Sequence, residues 1–298
     1  MFEHVIVGVD GNEGGRDAIA LARLLASPDA RLALAHVCMG DALRTRGSTS
    51  PYGTAERDRG IELLERERAE TGIAAQLHVV RSASVGRGLH VLAESSGADL
   101  LIVGSCRRGL LGRVMVGDDT RAALNGAPCA VAVAPAGYAL EPAMMQEIGV
   151  AYNGSPESEH ALAIGQRLAA ESGARLSAFE AVTLPAYLFL GGTEPVEDSV
   201  AQIVERAREK IAALGGVEPH AAYGLPVEEL TLYSASLDLL IVGSRDYGPI
   251  GRIVHGSTSG DLARTARCPL LILTRAARAA DPSGDASGVA GAALSGGL

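Results

Sequence analysis

Asp99-Leu100-Leu101-Ile102-Val103-Gly104-Ser105 recurs unchanged as Asp238-Leu239-Leu240-Ile241-Val242-Gly243-Ser244, an offset of 139 residues (238 − 99). Each copy leads into a glycine-punctuated loop, a short helical stretch and an apolar run opened by cysteine. Cys129 and Cys268 keep the same offset, and Asp10-Gly11 has its counterpart at Asn153-Gly154, 143 residues on. The repeat therefore spans whole domains. Its period far exceeds the roughly 20–50 residues of solenoid units, so each copy is expected to bury its own core.

The composition fits two such cores: 298 residues, of which 47% are hydrophobic. The net charge is −9, from 26 Lys+Arg against 35 Asp+Glu, and aromatics make up only 3%. A nucleic-acid partner would need a basic stripe and stacking platforms, and neither is present. Met1 is followed at once by a strand-like run, and nowhere are 18 consecutive residues apolar, so neither a signal segment nor a membrane span is expected. A cytoplasmic protein is the expectation. The four cysteines, Cys38, Cys106, Cys129 and Cys268, are scattered without a C-x-x-C pair, which argues against a zinc site and a disulfide framework.

In the first copy, Val5–Val9 is a β-branched run that turns at Asp10-Gly11-Asn12. Ala18, Leu21, Leu24 and Leu25 then repeat at helical spacing. Further strands are expected at Leu32–Cys38, Leu77–Val80, Leu100–Val103 and Ala130–Ala134, with helices at Ala55–Thr71, Gly86–Ser96 and Asp118–Gly126 between them. Strands alternating with helices imply an α/β fold of two tandem doubly wound domains, each a parallel sheet with helices on both faces. The second copy repeats the order from Ile148 to Thr274, with its longest helix at about Glu197–Leu214. The expected boundaries are residues 1–137 and 146–276. The connection between them is too short for independent motion, so the domains should pack on each other. Residues 279–298 are Ala/Gly/Ser-rich and have the composition of a disordered tail.

In an open parallel sheet, ligands bind beyond the carboxyl ends of the strands, and helix N-termini hold anions. Two loops of each copy lie there: Asp10-Gly11-Asn12 and Asn153-Gly154-Ser155 after strand 1, and Gly104–Thr120 and Gly243–Ser259 after strand 4. Neither matches a P-loop, and no G-x-G-x-x-G follows the first strand.

Taken together, Val7-Gly8-Val9-Asp10-Gly11, the two Asp-Leu-Leu-Ile-Val-Gly-Ser runs, a loop of spacing G-x2-G-x9-G-[ST] and the Cys-initiated last strand resemble the universal stress protein family in its tandem form. The resemblance covers about residues 3–135 and 146–275. It implies five-stranded sheets in the order 3-2-1-4-5, paired through their last strands. In one branch of the family it also implies ATP or AMP bound across the strand-1 and strand-4 loops, with Mg held through the phosphates. The other branch binds no nucleotide.

Carried over position by position, the resemblance puts Asp10 and Asn153 at the nucleoside end, with Val37 and Ala181 as the neighbouring apolar wall. The glycine loop of the first copy reads Gly104, Arg107, Gly117 and Asp118, departing at two of its four positions. Arg107 attracts phosphate but stands where glycine would allow positive φ, at a cost of about 1–2 kcal/mol. Asp118 is a favoured N-cap whose carboxylate competes for the anion position. The second copy reads Gly243, Asp246, Gly256, Ser257 and Thr258, with only the second glycine lost. A carboxylate at Asp246 about 4 Å from a phosphate charge would cost about 1 kcal/mol in water and about 4 at an effective dielectric of 20. Phosphate contacts are therefore expected to be better developed in the second copy.

His36 and His255 lie near the clefts without a nucleophile or paired carboxylate, and Cys106 sits beside Arg107 and Arg108. None of them forms a catalytic constellation. The function expected is an adenine-nucleotide-responsive stress or regulatory protein with at most slow ATP hydrolysis. The alternative is a protein-interaction module without nucleotide, acting on an unknown protein partner through domain pairing and homodimerisation. A binder of some other small molecule in the same clefts is a third reading.

Overall fold

The apolar runs become ten strands and the amphipathic segments eight helices in the computed structural model, which describes residues 1–39, 51–105, 118–183, 196–244 and 258–274. In the first copy these are β1 (Phe2–Gly8), α1 (Glu13–Leu25), β2 (Ala26–Met39), α2 (Pro51–Thr71), β3 (Gln76–Ser82), α3 (Val85–Ser96), β4 (Leu100–Gly104), α4 (Asp118–Leu124) and β5 (Ala130–Ala134). The second copy contributes β6 (Glu147–Ala151), α5 (Pro156–Ser172), β7 (Arg175–Val182), α6 (Val196–Ala212), β8 (Glu218–Tyr223), α7 (Pro226–Tyr233), β9 (Leu239–Gly243), α8 (Thr258–Thr265) and β10 (Leu270–Leu273). Among the described residues, no helix is long and apolar enough to cross a membrane.

All the strands join one sheet in the order β3-β2-β1-β4-β5-β10-β9-β6-β7-β8. Each half is parallel in the expected order 3-2-1-4-5, and the halves meet where β5 pairs antiparallel with β10. The register there reads Leu270↔Val133, Leu271↔Ala132 and Ile272↔Val131. Under the 139-residue offset Ala132 is equivalent to Leu271, so each faces its own counterpart, while the flanking pairs exchange partners. This is the signature of an isologous contact, with an approximate two-fold axis between Ala132 and Leu271. The pairing also covers the edge that each last strand would otherwise expose.

Period-2 alternation decides which core each side chain enters. Ala130, Ala132 and Ala134 face one core together with Leu21 and Leu25 of α1 and Leu168 of α5. Val131 and Val133 face the other, with Leu89 of α3 and Leu262 of α8. Both cores run across the β5–β10 junction. In α1, Ala18, Leu21, Ala22 and Leu25 share one face and are fully buried. In α3, the Ser84 side chain accepts from Arg87 N at 3.3 Å, and the helix ends at Gly97 with φ 66°.

The repeated aspartate has a structural use. Asp99 accepts from the amides of Glu3 and His4 at 2.8 and 3.0 Å, and Asp238 accepts from those of Gln146 and Glu147 at 2.8 and 2.9 Å. Each carboxylate thus ties the entry of strand 4 to the start of strand 1 in its own copy. The connection between copies is also held: buried Asp17 of α1 accepts from Gly137 N at 2.9 Å and Ala139 N at 2.8 Å.

Some boundaries differ from expectation. β2 begins at Ala26 rather than Leu32 because its first residues follow α1 directly along β1, and a register shift between Phe2↔Ala26 and His4↔Arg31 absorbs the extra length. α2 starts at Pro51, and among the described residues α5 and α6 both span 17 residues. The tail at 279–298 lies outside the described residues.

Candidate functional site

The turn after the first strand is built alike in both copies. Asp10 Oδ1 accepts from Asn12 N at 3.0 Å, and Asn153 Oδ1 accepts from Ser155 N at 3.0 Å. Gly11 and Gly154 carry φ of 79° and 75°, a region that favours glycine. These Asx turns feed α1 and α5, and Ser155 caps the latter by accepting from Ser158 N at 3.3 Å. The two loops differ in charge rather than shape. Asp10 spends its second oxygen on Asn12 Nδ2 at 2.7 Å.

Gly104 and Gly243 close the strand-4 ends, and here the lack of a side chain is forced by packing. A Cβ on Gly104 would stand 2.0 Å from Gly14 O, and one on Gly243 would stand 2.4 Å from Glu157 O. The first turn of α1 or α5 therefore rests directly on the end of strand 4, and this brings the strand-1 and strand-4 loops side by side.

Between the loops each copy has a cleft. That of the first copy holds about 80 Å³ and gathers Asp10, Val37, Gly104, Leu89 and Thr120. That of the second holds about 350 Å³ and gathers Asn153, Ala181, Gly243 and Thr258, with Phe179, Leu230 and Ser259. The structure thus unites Asp10 with Val37 and Gly104, and Asn153 with Ala181, Gly243 and Thr258. Arg107, Gly117, Asp246, Gly256 and Ser257 lie outside the described residues, as do the Asp118 carboxylate, Cys106 and His255.

The wall of the first cleft is closely packed. A Cβ on Gly88 would stand 2.9 Å from Val37 Cγ1, so α3 reaches that wall only because residue 88 is glycine. At the helix offset of 141 residues that pairs the cleft-lining Leu89 with Leu230, the counterpart of Gly88 is Glu229. Its side chain lies beside Gly224, and the wall position equivalent to Val37 is Ala181. In the first copy Thr120, buried, also donates its hydroxyl to Gly104 O at 2.9 Å.

Three features of these sites were missed by sequence reasoning. Thr120 lines the first cleft at the place equivalent to Ser259, and the 139-residue offset pairing the two hydroxyls could have found it. Phe179 forms a flat wall of the second cleft, stacked on Tyr233 with ring centroids 4.8 Å apart; no pattern in the sequence predicted this contact. Tyr233 in turn shares a hydrogen bond with Ser177, and burial raises its phenol pKa. Lys210 of α6 donates to Asn153 O at 3.3 Å, lies 3.5 Å from Glu180 Oε2 and stands 5.4 Å from the centre of the Tyr152 ring. It clamps the strand-1 loop of the second copy from outside, and nothing in the sequence marked it.

His36 is engaged as a strand-end residue, its Nδ1 lying 2.8 Å from Val9 O. Burial pushes the thiols of Cys129 and Cys268 up to about 12, the values of packed, unreactive cysteines. Among the described residues, no group of three or more His, Cys, Asp or Glu side chains could hold a metal ion.

A sequence profile of the universal stress protein family matches residues 1–135 and 144–274. The chain is 27% identical over 286 residues to a universal stress protein of Mycobacterium tuberculosis H37Rv, covering 90% of this chain and 96% of that one. It is 32% identical over 139 residues to a universal stress protein of Thermus aquaticus, covering 44% of this chain and 99% of the other. In fold it resembles the crystal structure of a universal stress protein from Archaeoglobus fulgidus, with TM-score 0.63, 16% identity, and coverage of 91% of this chain and 98% of that one.

Proposed function

The chain belongs to the universal stress protein family, and from that premise we propose that it is an adenine-nucleotide-responsive stress and regulatory protein, not a committed enzyme, whose nucleotide site is the cleft of the second copy. The observation that carries this reading is the cleft of about 350 Å³ beyond the carboxyl ends of β6 and β9. Its size falls within the roughly 300–1,000 Å³ of small-molecule sites, and its position is where a doubly wound sheet takes ligands. The first cleft, at about 80 Å³, falls below that range.

In this reading Asn153 and Ala181 receive the nucleoside, with Phe179 as a stacking wall for the base. Thr258 and Ser259, at the start of α8, offer hydroxyls and helix-terminal amides to the phosphates. Magnesium would enter with the phosphates. ATP or AMP would bridge the strand-1 and strand-4 loops and stabilise that half by about 2.7 kcal/mol at a hundred times its Kd. Adenylate level would thereby reach whatever protein partner reads that surface. No residue aligned for proton transfer faces the cleft among the described residues, so hydrolysis would be slow and incidental. The first copy serves in pairing, the role that the interaction-module reading gives to the whole protein. The units are taken as residues 1–137 and 146–276, and the setting as the cytoplasm, where ATP and AMP are at hand.

Nucleotide extracted from heated protein and separated by chromatography tests this directly. Recovery of ATP or AMP supports the reading. Protein that neither carries nucleotide nor binds it on titration would favour the interaction module.

A further inference from the structure

A third cavity, of about 300 Å³, lies at the junction of the two copies, away from both clefts. Its walls come from both halves: Ser105, Val133 and Pro135 from the first, Arg264, Arg267 and Cys268 from the second. The two-fold relation makes its origin legible. At the opposite end of the β5–β10 pair, Thr274 donates its hydroxyl to Cys129 O at 3.0 Å and ties the strands together. Under the 139-residue offset the counterpart of Thr274 is Pro135 and that of Cys129 is Cys268. Proline has no hydroxyl to give, so the equivalent tie to Cys268 O cannot form, and this is the end that stays open.

The chemistry at the open end also departs from the symmetry. Arg264 and Arg267 line it, where the first copy has Asn125 and Pro128. Arg264 reaches Asp261 Oδ1 only at 3.8 Å, with both side chains substantially exposed. Arg267 fixes its backbone, its amide donating to Ser234 Oγ at 2.9 Å, and among the described residues its guanidinium makes no ion pair. On the other wall, Ser105 is 3% exposed, and among the described residues its hydroxyl has no hydrogen-bond partner. Guanidinium groups are suited to carboxylate and phosphate oxygens.

We propose that this inter-copy cavity is a second ligand site, which takes a small organic or inorganic anion between Arg264 and Arg267. Such a ligand contacts both halves at once, so it ties the junction at the end where Pro135 leaves it untied.

The test is calorimetric titration of the full chain with inorganic phosphate and, separately, with succinate. Saturable binding of at least one probe at millimolar concentration is expected, weakened at least tenfold in the double variant Arg264→Gln/Arg267→Gln. Pro135→Thr, which supplies the missing hydroxyl and fills the gap, should weaken it to a similar degree. Both variants should bind ATP as the wild type does. Preference for phosphate assigns a phosphorylated ligand and preference for succinate a carboxylate. If the double variant does not fold, the single variant Arg267→Gln, at an exposed position, carries the test. The proposal is overturned if neither probe saturates, or if the arginine variants bind as tightly as the wild type.

Discussion

Replacing Asp17 by alanine should loosen the connection between the two copies. Its carboxylate is buried in α1 and accepts from Gly137 N at 2.9 Å and Ala139 N at 2.8 Å, the two amides that flank buried Tyr138. A hydrogen bond to a charged group contributes about 1.5–3 kcal/mol. Gly137 is exposed and Ala139 half-buried, so water replaces part of what is lost. The expected destabilisation of Asp17→Ala is therefore about 2–4 kcal/mol, somewhat less than the about 3–6 that two such bonds would give. At about 2 °C per kcal/mol for a protein of this size, the melting temperature should fall by about 4–8 °C. Asp17→Asn keeps one acceptor and should lose about half as much. Calorimetric melting of the three proteins at neutral pH reads this. A melting temperature for Asp17→Ala within about 1 °C of wild type would refute the idea that this carboxylate anchors the connection.

Gly243→Ala would place a Cβ 2.4 Å from Glu157 O, a backbone atom that cannot step aside, and should cost about 1–3 kcal/mol in denaturant unfolding while weakening nucleotide binding through displacement of α5. The thiols of Cys129 and Cys268, pushed up to about 12 by burial, should resist iodoacetamide at pH 8 in the native protein and react on unfolding. Because the folded values lie above the unfolded ones, these groups contribute stability below pH 9 that is lost between pH 9 and about 12, so alkaline titration should unfold the wild type before a Cys129→Ala/Cys268→Ala variant.

How far the sequence could be read follows from the kind of signal each feature leaves. The recurrence of Asp99–Ser105 at Asp238–Ser244, followed by Cys-initiated apolar strands, carried the tandem α/β fold, and the family resemblance placed the last strand of one copy beside that of the other, as Ala130–Ala134 and Leu270–Leu273 are. Those are periodic, local patterns. The jobs of Asp99, Asp238 and Asp17 were not legible, because each carboxylate meets amides far along the chain, 120 residues away for Asp17 and Gly137. Gly104 was read for what it could offer a ligand; its approach to Gly14 depends on how α1 lies on β4. Asp10 with Val37, and Asn153 with Ala181, came from the family resemblance, and in each copy the two members line one cleft. The inequality of the two clefts, about 80 against about 350 Å³, was not legible.

The central claim is that one nucleotide binds per chain, in the second cleft. Calorimetric titration of ATP and AMP into the full chain, beside an Ala181→Trp variant that fills that cleft and a Val37→Trp variant that fills the first, tests it most directly. The account predicts a stoichiometry of about one, abolished by Ala181→Trp and unchanged by Val37→Trp. Binding that survives Ala181→Trp, or that is lost only in Val37→Trp, would contradict it.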